Sequence, residues 1–252
     1  MCTLVILRRP GHDWPVLIAA NRDENAERPW RPPGRHWPDR PEVVAGMDEL
    51  AGGTWLGLND RGVVAGILNR PDSLGPDPRL RSRGELVLEA LDHADAVAAA
   101  GALSHLDGRS YRSFNLVVAD NRDAWWLRGF GADGDGRPAL HEIGEGLSMI
   151  TAHDPNDTAG SARTRLYLPR FRAAAPPDPA SGDWESWTRI LASRDSLPGT
   201  GPGEAMNVAT DSPFGTLSSS LIGLAAAHVA GGKAVFLFAS GRPDEAPYLP
   251  VE

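Results

Sequence analysis

The sequence predicts a layered α+β fold in a single domain spanning residues 1–252. Three observations favour it: strand-like apolar runs occupy both ends of the chain, helical spacing is confined to the middle, and no linker divides the sequence. Strands at both ends can meet in one sheet, and the central helices can then pack against sheets. The same order is compatible with a four-layer αββα sandwich.

Strand patterns dominate the first part of the chain. Two nearly continuous apolar runs, 3–8 and 15–20, lie on either side of a polar turn and predict a hairpin in a sheet covered on both faces. The Pro- and Arg-rich segment 28–42 predicts an irregular surface excursion. A second hairpin is predicted from runs 54–58 and 63–68.

Helical spacing begins after residue 80. Ser82 and Glu85 have the spacing of a capping box and predict the start of a helix over about 83–100. Further helices are predicted over 161–174 and 183–194, with a Pro-rich loop between them. The remaining strand patterns lie at 114–119, 124–127, 148–151, 221–227 and 234–239.

Composition excludes several classes of partner. A net charge of −8 argues against nucleic acid and anionic membranes as partners. No apolar stretch reaches the ~20 residues of a membrane span, and the amino terminus lacks a signal-peptide pattern. A single cysteine excludes an internal disulfide and suits a reducing compartment. The sequence therefore predicts a cytoplasmic protein without a membrane span, and it does not indicate an oligomeric state.

The only cysteine is residue 2. A small residue at this position favours removal of Met1, which would give Cys2 both a thiol and a free α-amine. These groups titrate at about pH 8.5 and about pH 8, so the amine can activate the thiol without a separate histidine. This pairing is typical of an N-terminal-nucleophile hydrolase. The alternative is a small core cysteine, and Cys2 alone leaves both interpretations open.

Polar residues follow the second predicted strand directly. If strands 1 and 2 pair antiparallel, Asn21, Arg22 and Asp23 lie beside Cys2. A guanidinium there would favour the thiolate, and a carboxylate could hold the α-ammonium in position. The alternative is a turn with a structural Arg–Asp pair.

The segment 15–24 resembles the signature of the NRDE family, also called the transport-and-Golgi-organisation family. The resemblance covers about the first 120 residues and includes, in family order, Met1-Cys2, Arg28-Pro29, 46–48, 51–57, Asn69-Arg70, 82–86 and 113–117. The second half departs from the family pattern. Where members often carry Gly-Thr-Arg-Ser-Ser, this chain has Leu217 in place of the arginine.

Other segments resemble N-terminal-nucleophile enzymes. Segments 150–154 and 161–163 resemble isopenicillin N acyltransferase-like proteins, whereas 1–3 and 58–69 resemble bile-salt and penicillin V hydrolases. This resemblance implies the αββα fold of that superfamily, with Cys2 as nucleophile, Asp23 contacting the N-terminal residue and Asn69 as oxyanion donor. The arginine of the hydrolases falls on Ala20, so Arg22 is an imperfect substitute.

Together these features predict hydrolysis or transfer of a small acyl group from an amide, without a metal or an organic cofactor. The predicted catalytic residues are Cys2, Asp23, Asn69 and Arg22, and the predicted substrate-binding residues are Asn21, Trp55 and His153. His153 has an alternative interpretation as a loop residue beside Asp154. Two other functions stay open: haem binding or trafficking, which the NRDE resemblance implies, and a retained fold without activity.

Overall fold

The computed structural model describes residues 2–75, 77–131, 136–229 and 231–252. Within these ranges the chain forms two compact units. One contains the residues up to Arg28 together with Glu145–Glu252, and the other contains Pro29–Gly144. Each unit is an antiparallel sheet that carries two helices, which confirms the predicted α+β class.

In chain order, the strands are β1 (Thr3–Arg8), β2 (Val16–Asn25), β3 (Trp30–Gly34), β4 (Val43–Asp48), β5 (Leu56–Asn59), β6 (Val64–Asn69), β7 (Phe114–Ala119), β8 (Ala124–Gly129), β9 (Ala139–Glu142), β10 (Gly146–Ile150), β11 (Phe214–Leu224), β12 (Val235–Ala239) and β13 (Tyr248–Pro250). The helices are α1 (Gly84–Leu91), α2 (Ala96–Leu103), α3 (Ala162–Ala173) and α4 (Glu185–Leu191), with short 3₁₀ turns at Gly108–Ser110 and Pro202–Glu204.

The first unit is built on a six-stranded sheet with the order β10-β1-β2-β11-β12-β13. β1 and β2 form the predicted hairpin, with Thr3 opposite Asn21 and Arg8 opposite Val16. β11 then pairs with the other edge of β2, so the first and last strands share one sheet as expected. Apolar residues of β1 and β2 pack against α3 and α4 in one cluster, which includes Val5, Leu17, Phe171 and Trp187.

The second unit is a seven-stranded sheet in which β3 to β9 follow one another in sequence order. Its core lies between the sheet and the two helices α1 and α2. The cluster contains Leu86 and Leu91 of α1 together with Phe114, Leu116 and Val118 of β7. Because these strand residues alternate, one face of β7 points at the helices.

The prediction of a single helix over 83–100 is wrong, because the chain forms two separate helices, α1 and α2, in this region. Asp95 is extended, and its side chain accepts a hydrogen bond from the Ala98 N–H at 2.8 Å, so it caps a new helix. The predicted capping box is also absent. Arg83 occupies the N-cap of α1 without a side-chain cap bond, and the Ser82 hydroxyl accepts from the Gly84 N–H at 3.3 Å.

Several strands were not predicted, or were predicted too short. β3 lies inside the segment predicted to be irregular, and β4, β9 and β13 have no counterpart among the predicted strands. β11 begins at Phe214 instead of 221, because glycine, threonine and serine residues interrupt the apolar pattern of its first half. No helix within the described ranges combines the length and apolar character needed to cross a membrane.

Gly53 and Gly84 bring two backbone segments of the second unit into direct contact. The Thr54 N–H donates to the Gly84 carbonyl at 3.2 Å, and a Cβ at Gly53 would lie 2.6 Å from the Gly84 carbonyl carbon. We expect Gly53→Ala to lower the free energy of unfolding by about 1–3 kcal/mol, the usual effect of overpacking.

Gly101 in α2 is a matched control, because a Cβ there would meet no atom within 4 Å. Gly101→Ala should raise the free energy of unfolding by about 0.5–1 kcal/mol through helix propensity. Urea denaturation measures both effects. Equal stability of the Gly53→Ala variant and the native chain would contradict the proposed backbone contact.

Candidate active site

Cys2 lies just before β1, beside the end of β2. Its thiol is partly buried and donates to the Asp23 carbonyl oxygen, with 3.5 Å between sulfur and oxygen. The hairpin register accounts for this placement, since Thr3 lies opposite Asn21 and β2 continues past it to Asp23. The structure thus brings Cys2 and the polar end of β2 together, as the hairpin predicted.

The Asp23 carboxylate is fully buried and held on both oxygens. Oδ2 accepts from Nη1 of Arg163 at 2.8 Å, and Oδ1 accepts from the Thr216 hydroxyl at 2.6 Å. The Thr216 hydroxyl itself accepts from the Val208 N–H at 2.8 Å. Charge-assisted hydrogen bonds of this kind fix a carboxylate in one orientation.

Arg163, like Thr216, is a residue of this site that sequence reasoning did not assign. It is the second residue of α3, its side chain is only 1% exposed, and the same Nη1 that bonds Asp23 also donates to the Thr3 hydroxyl at 2.9 Å. Its Nη2 donates to the Gly203 carbonyl at 2.8 Å. Arg163 therefore ties β1, β2 and the 3₁₀ turn at Pro202–Glu204 together.

A signal for Arg163 was present in the sequence. The buried face of α3 contains Tyr167 and Phe171, and Arg163 precedes Tyr167 by four residues, so it lies on the same face of the helix. An arginine in register with a buried stripe requires a buried acidic partner, because an unpaired interior charge is costly. Asp23 is that partner.

Arg22 occupies the face of β2 opposite to Asp23. It is 5% exposed and lies opposite Ser218 of β11, at a bulge between Thr216 and Ser218. Strand alternation places Arg22 on the same face as Cys2, because Cys2 precedes Thr3 and Thr3 pairs with Asn21.

Asn21 is engaged within the protein. Its amide nitrogen donates to the carbonyls of Leu191 and Met206, both at 3.0 Å, and its amide oxygen accepts from the Ser219 hydroxyl at 2.7 Å. Tyr248 donates to that same hydroxyl at 2.7 Å. These contacts make Asn21 a link between β2, α4 and β11.

The remaining predicted substrate-binding and oxyanion residues are His153, Trp55 and Asn69. His153 follows β10 and is half-buried, with its Nδ1 3.8 Å from Asp157 Oδ2. Trp55 and Asn69 belong to the second unit. Trp55 meets Trp30 edge to face with ring centroids 5.8 Å apart, and Asn69 ends β6 opposite Phe114. The roles of these three residues stay predictions.

The surroundings of Cys2 keep its thiol protonated. Burial raises the pKa of the Cys2 thiol above its ordinary value, and the negative charge of Asp23 raises it further. The Arg22 guanidinium lowers this pKa, but by less than burial raises it. A neutral thiol needs a base before it can act as a nucleophile.

Alkylation by iodoacetamide tests this environment, because Cys2 is the only cysteine. Thiolate is the reactive form, so a raised pKa means that the rate at neutral pH is low and levels off only at higher pH than for an ordinary cysteine. We expect this for the folded chain with Met1 retained. The urea-unfolded chain is the control and should show a midpoint near pH 8.5. A folded midpoint at or below that of the unfolded chain would contradict the assignment.

Among the described residues, no group of three or more His, Cys, Asp or Glu side chains is placed to hold a metal ion.

Comparison of this chain with solved structures finds a similar fold in acyl-amide hydrolases. A Caenorhabditis elegans N-acylethanolamine-hydrolyzing acid amidase ortholog aligns over 100% of both chains, with a TM-score of 0.58 and 11% identity. A conjugated bile acid hydrolase mutant from Clostridium perfringens aligns over 100% of this chain and 97% of its own, with a TM-score of 0.53 and 9% identity. At these identities the likeness establishes the fold, which is of the N-terminal-nucleophile hydrolase type as predicted.

Sequence comparison identifies the family. The Transport and Golgi organization protein 2 homolog of Bos taurus is 38% identical over 113 residues, and the Homo sapiens homolog is 37% identical over 111 residues. Each match covers 42% of this chain and 38% of the relative's length. The family described as Transport and Golgi organisation 2 matches residues 1–149, more than half of the sequence. The chain belongs to the Transport and Golgi organisation 2 family.

Proposed function

We propose that this protein is a cysteine-nucleophile amidohydrolase or acyltransferase that acts on a small acyl amide. One observation carries the proposal. The thiol of Cys2 lies against the backbone of Asp23, whose buried carboxylate is fixed by Arg163 and Thr216. A thiol that contacts the backbone of a rigidly held aspartate, at the start of the first strand of an N-terminal-nucleophile fold, supports acyl transfer through Cys2.

The proposed chemistry requires Cys2 to be the first residue of the mature protein. Its free α-amine, with a pKa of about 8, then takes the thiol proton as the sulfur attacks the amide carbonyl. The Asp23 carboxylate orients the resulting ammonium. The C–N bond breaks, the leaving amine takes a proton from the α-ammonium, and a thioester remains on Cys2. Water or an acceptor amine then attacks the thioester, which releases the carboxylic acid or the new amide and restores the thiol.

The remaining predicted residues have supporting roles in this proposal. Arg22 favours the thiolate by its charge, and Asn69 is the oxyanion donor that the resemblance implies. Trp55 and His153 are proposed to contact the substrate. Asn21 acts indirectly, because all its polar atoms already bind the protein and it holds β2 in place. The single cysteine suits a reducing compartment, and we propose the cytoplasm.

The requirement for a free amine gives a direct test. Two preparations are compared, one beginning at Cys2 and one retaining Met1, with both termini verified by intact mass spectrometry. They are assayed on a panel of acyl aminocoumarins of increasing acyl length. We expect turnover only in the preparation with a free Cys2 amine. Equal rates in both preparations, or no turnover on any member of the panel, would overturn the proposal.

Haem binding remains the alternative that the family resemblance implies. No contact among the described residues favours it over acyl transfer. A haem titration of the same two preparations, followed by the Soret band, distinguishes the two functions.

A further inference from the structure

A bulge in β11 redirects one of its hydroxyl groups. Thr216 pairs with Asp23 and Ser218 pairs with Arg22, so β11 has one extra residue between the two pairs. In a regular strand Thr216 and Ser218 would point to the same face, but the bulge places them on opposite faces. The Thr216 hydroxyl bonds the Asp23 carboxylate at 2.6 Å on the face that α3 covers. Ser218 therefore lies on the other face, which it shares with Cys2.

The Ser218 hydroxyl is buried without a protein partner. Ser218 is 1% exposed, and its Oγ has no hydrogen bond among the described residues. The hydroxyls of Thr216 and Ser219, its neighbours on the opposite face, bond Asp23 and Asn21. A buried hydroxyl without a partner costs free energy, and in native proteins such a group often marks a site of function. A ligand held on this face would supply the partner.

The same face of the sheet is accessible next to Ser218. Ala20 is partly exposed, whereas the other residues of β2 up to Asp23 are buried. Ala20 is two residues from Arg22, so it lies on the face of Cys2, which is also partly exposed. A side chain as small as a methyl group leaves room above the strand that separates Cys2 from Ser218. An acyl group bound to Cys2 can extend over Ala20 towards the Ser218 hydroxyl.

Strand geometry sets the length of such an acyl group. Cys2 and Ser218 flank Arg22 on the two strands next to β2. At about 4.8 Å per strand, they lie roughly 10 Å apart. A carbonyl carbon bonded to the thiol and a hydrogen bond of about 2.7 Å to the hydroxyl leave roughly 5 Å between them. Four or five covalent bonds of about 1.5 Å each span this distance once bond angles are included.

Arg22 makes a carboxylate the matching end group. Burial and Asp23 dominate the pKa of the Cys2 thiol, but the Arg22 guanidinium is close enough to lower it. This cation lies between Cys2 and Ser218 and is itself buried. A carboxylate would meet its charge and accept from the Ser218 hydroxyl at once. Hydrogen bonds to ionised groups are roughly twice as strong as neutral ones, so a carboxylate gains more here than a hydroxyl end group.

We propose that the protein acts on amides of short dicarboxylic acids and that Ser218 recognises the free carboxylate. The acyl carbonyl lies at Cys2, the chain crosses Ala20, and the carboxylate accepts from the Ser218 hydroxyl beside Arg22. The inference rests on the proposed acyl transfer and adds its substrate class. Hydrolysis through the Cys2 thioester breaks the amide C–N bond, consumes one water and releases the dicarboxylate and the amine.

Two aminocoumarin amides with five-carbon acyl groups, glutaryl and pentanoyl, test the proposal on the chain that begins at Cys2. They differ only in the terminal carboxylate. We expect kcat/KM to be at least about tenfold higher for the glutaryl amide, the effect of one hydrogen bond to a charged group. Ser218→Ala should lower the glutaryl-to-pentanoyl ratio about tenfold. Ser212→Ala, which removes an exposed hydroxyl just before β11, is the control and should keep the ratio.

The alternative outcomes separate this inference from the proposed function. Preference for the pentanoyl amide, or a ratio that Ser218→Ala leaves unchanged, would overturn the dicarboxylate class while acyl transfer stands. Equal turnover of a 5-hydroxypentanoyl amide and the glutaryl amide would overturn the carboxylate. If no amide is turned over, the proposed function fails and binding alone tests the site. Glutarate should then slow alkylation of Cys2 by iodoacetamide in the native chain but not in Ser218→Ala, and absence of this protection would overturn the site.

Discussion

Replacing Arg163 with methionine is expected to lower the free energy of unfolding by about 3–5 kcal/mol. Methionine fills much of the same volume but removes the 2.8 Å bond to Asp23 and the bonds to Thr3 and Gly203. The Asp23 side chain is 0% exposed, so it would remain buried as an uncompensated charge. Urea unfolding followed by circular dichroism measures the difference.

Two variants make this result interpretable. Arg165→Met changes an exposed arginine on the same helix and should alter stability by no more than about 0.5 kcal/mol. The double variant Asp23→Leu/Arg163→Met removes both charges and should recover most of the loss, because a buried pair can often be replaced by apolar residues. A single variant as stable as Arg165→Met would show that the buried ion pair contributes little to folding.

Cys2→Ala is expected to reduce acyl-amide hydrolysis by at least about 10³-fold, since it removes the atom that forms the thioester. The thiol is small and only partly buried, so the free energy of unfolding should change by about 1 kcal/mol or less. Activity and stability are therefore expected to separate in this variant, in contrast to Arg163→Met.

The measurement is turnover by the preparation that begins at residue 2, with an acyl substrate that the native chain hydrolyses. A burst of amine release that disappears in Cys2→Ala would identify the acyl-enzyme step. Cys2→Ser is the conservative control, because it keeps a nucleophilic atom and the α-amine. Unchanged turnover in Cys2→Ala would exclude Cys2 as the nucleophile.

The part of the site formed by the first hairpin could be predicted because it depends on local pairing. Two apolar runs joined by a short turn fix an antiparallel register, and the register places Asn21, Arg22 and Asp23 beside Cys2. The contacts of Asp23 with Arg163 and Thr216 span 140 and 193 residues. No local pattern encodes such pairings, so they require the folded chain.

The errors in the fold have similar physical causes. β11 was predicted short because Thr216, Ser218 and Ser219 look polar in sequence, although all three are buried in a strand that pairs with β2. The break between α1 and α2 was missed because apolar spacing continues across it, while a single capping side chain, Asp95, starts the second helix. The periodicity of apolar residues therefore fails to predict elements whose polar side chains have specific partners in the folded chain.

Because the first unit is made of two separate stretches of the sequence, the ribosome makes its paired strands at different times. β1 and β2 are made first, but their partner β11 follows 193 residues after Asp23, as measured to Thr216. At about 5–20 residues per second, a ribosome needs roughly 10–40 s to cover that distance. Throughout this interval the strand pair bearing Cys2 lacks its neighbour β11, and Asp23 lacks its partner Thr216. Enzymes that act on nascent chains thus have a window in which to reach the residues around Cys2 before the sheet closes.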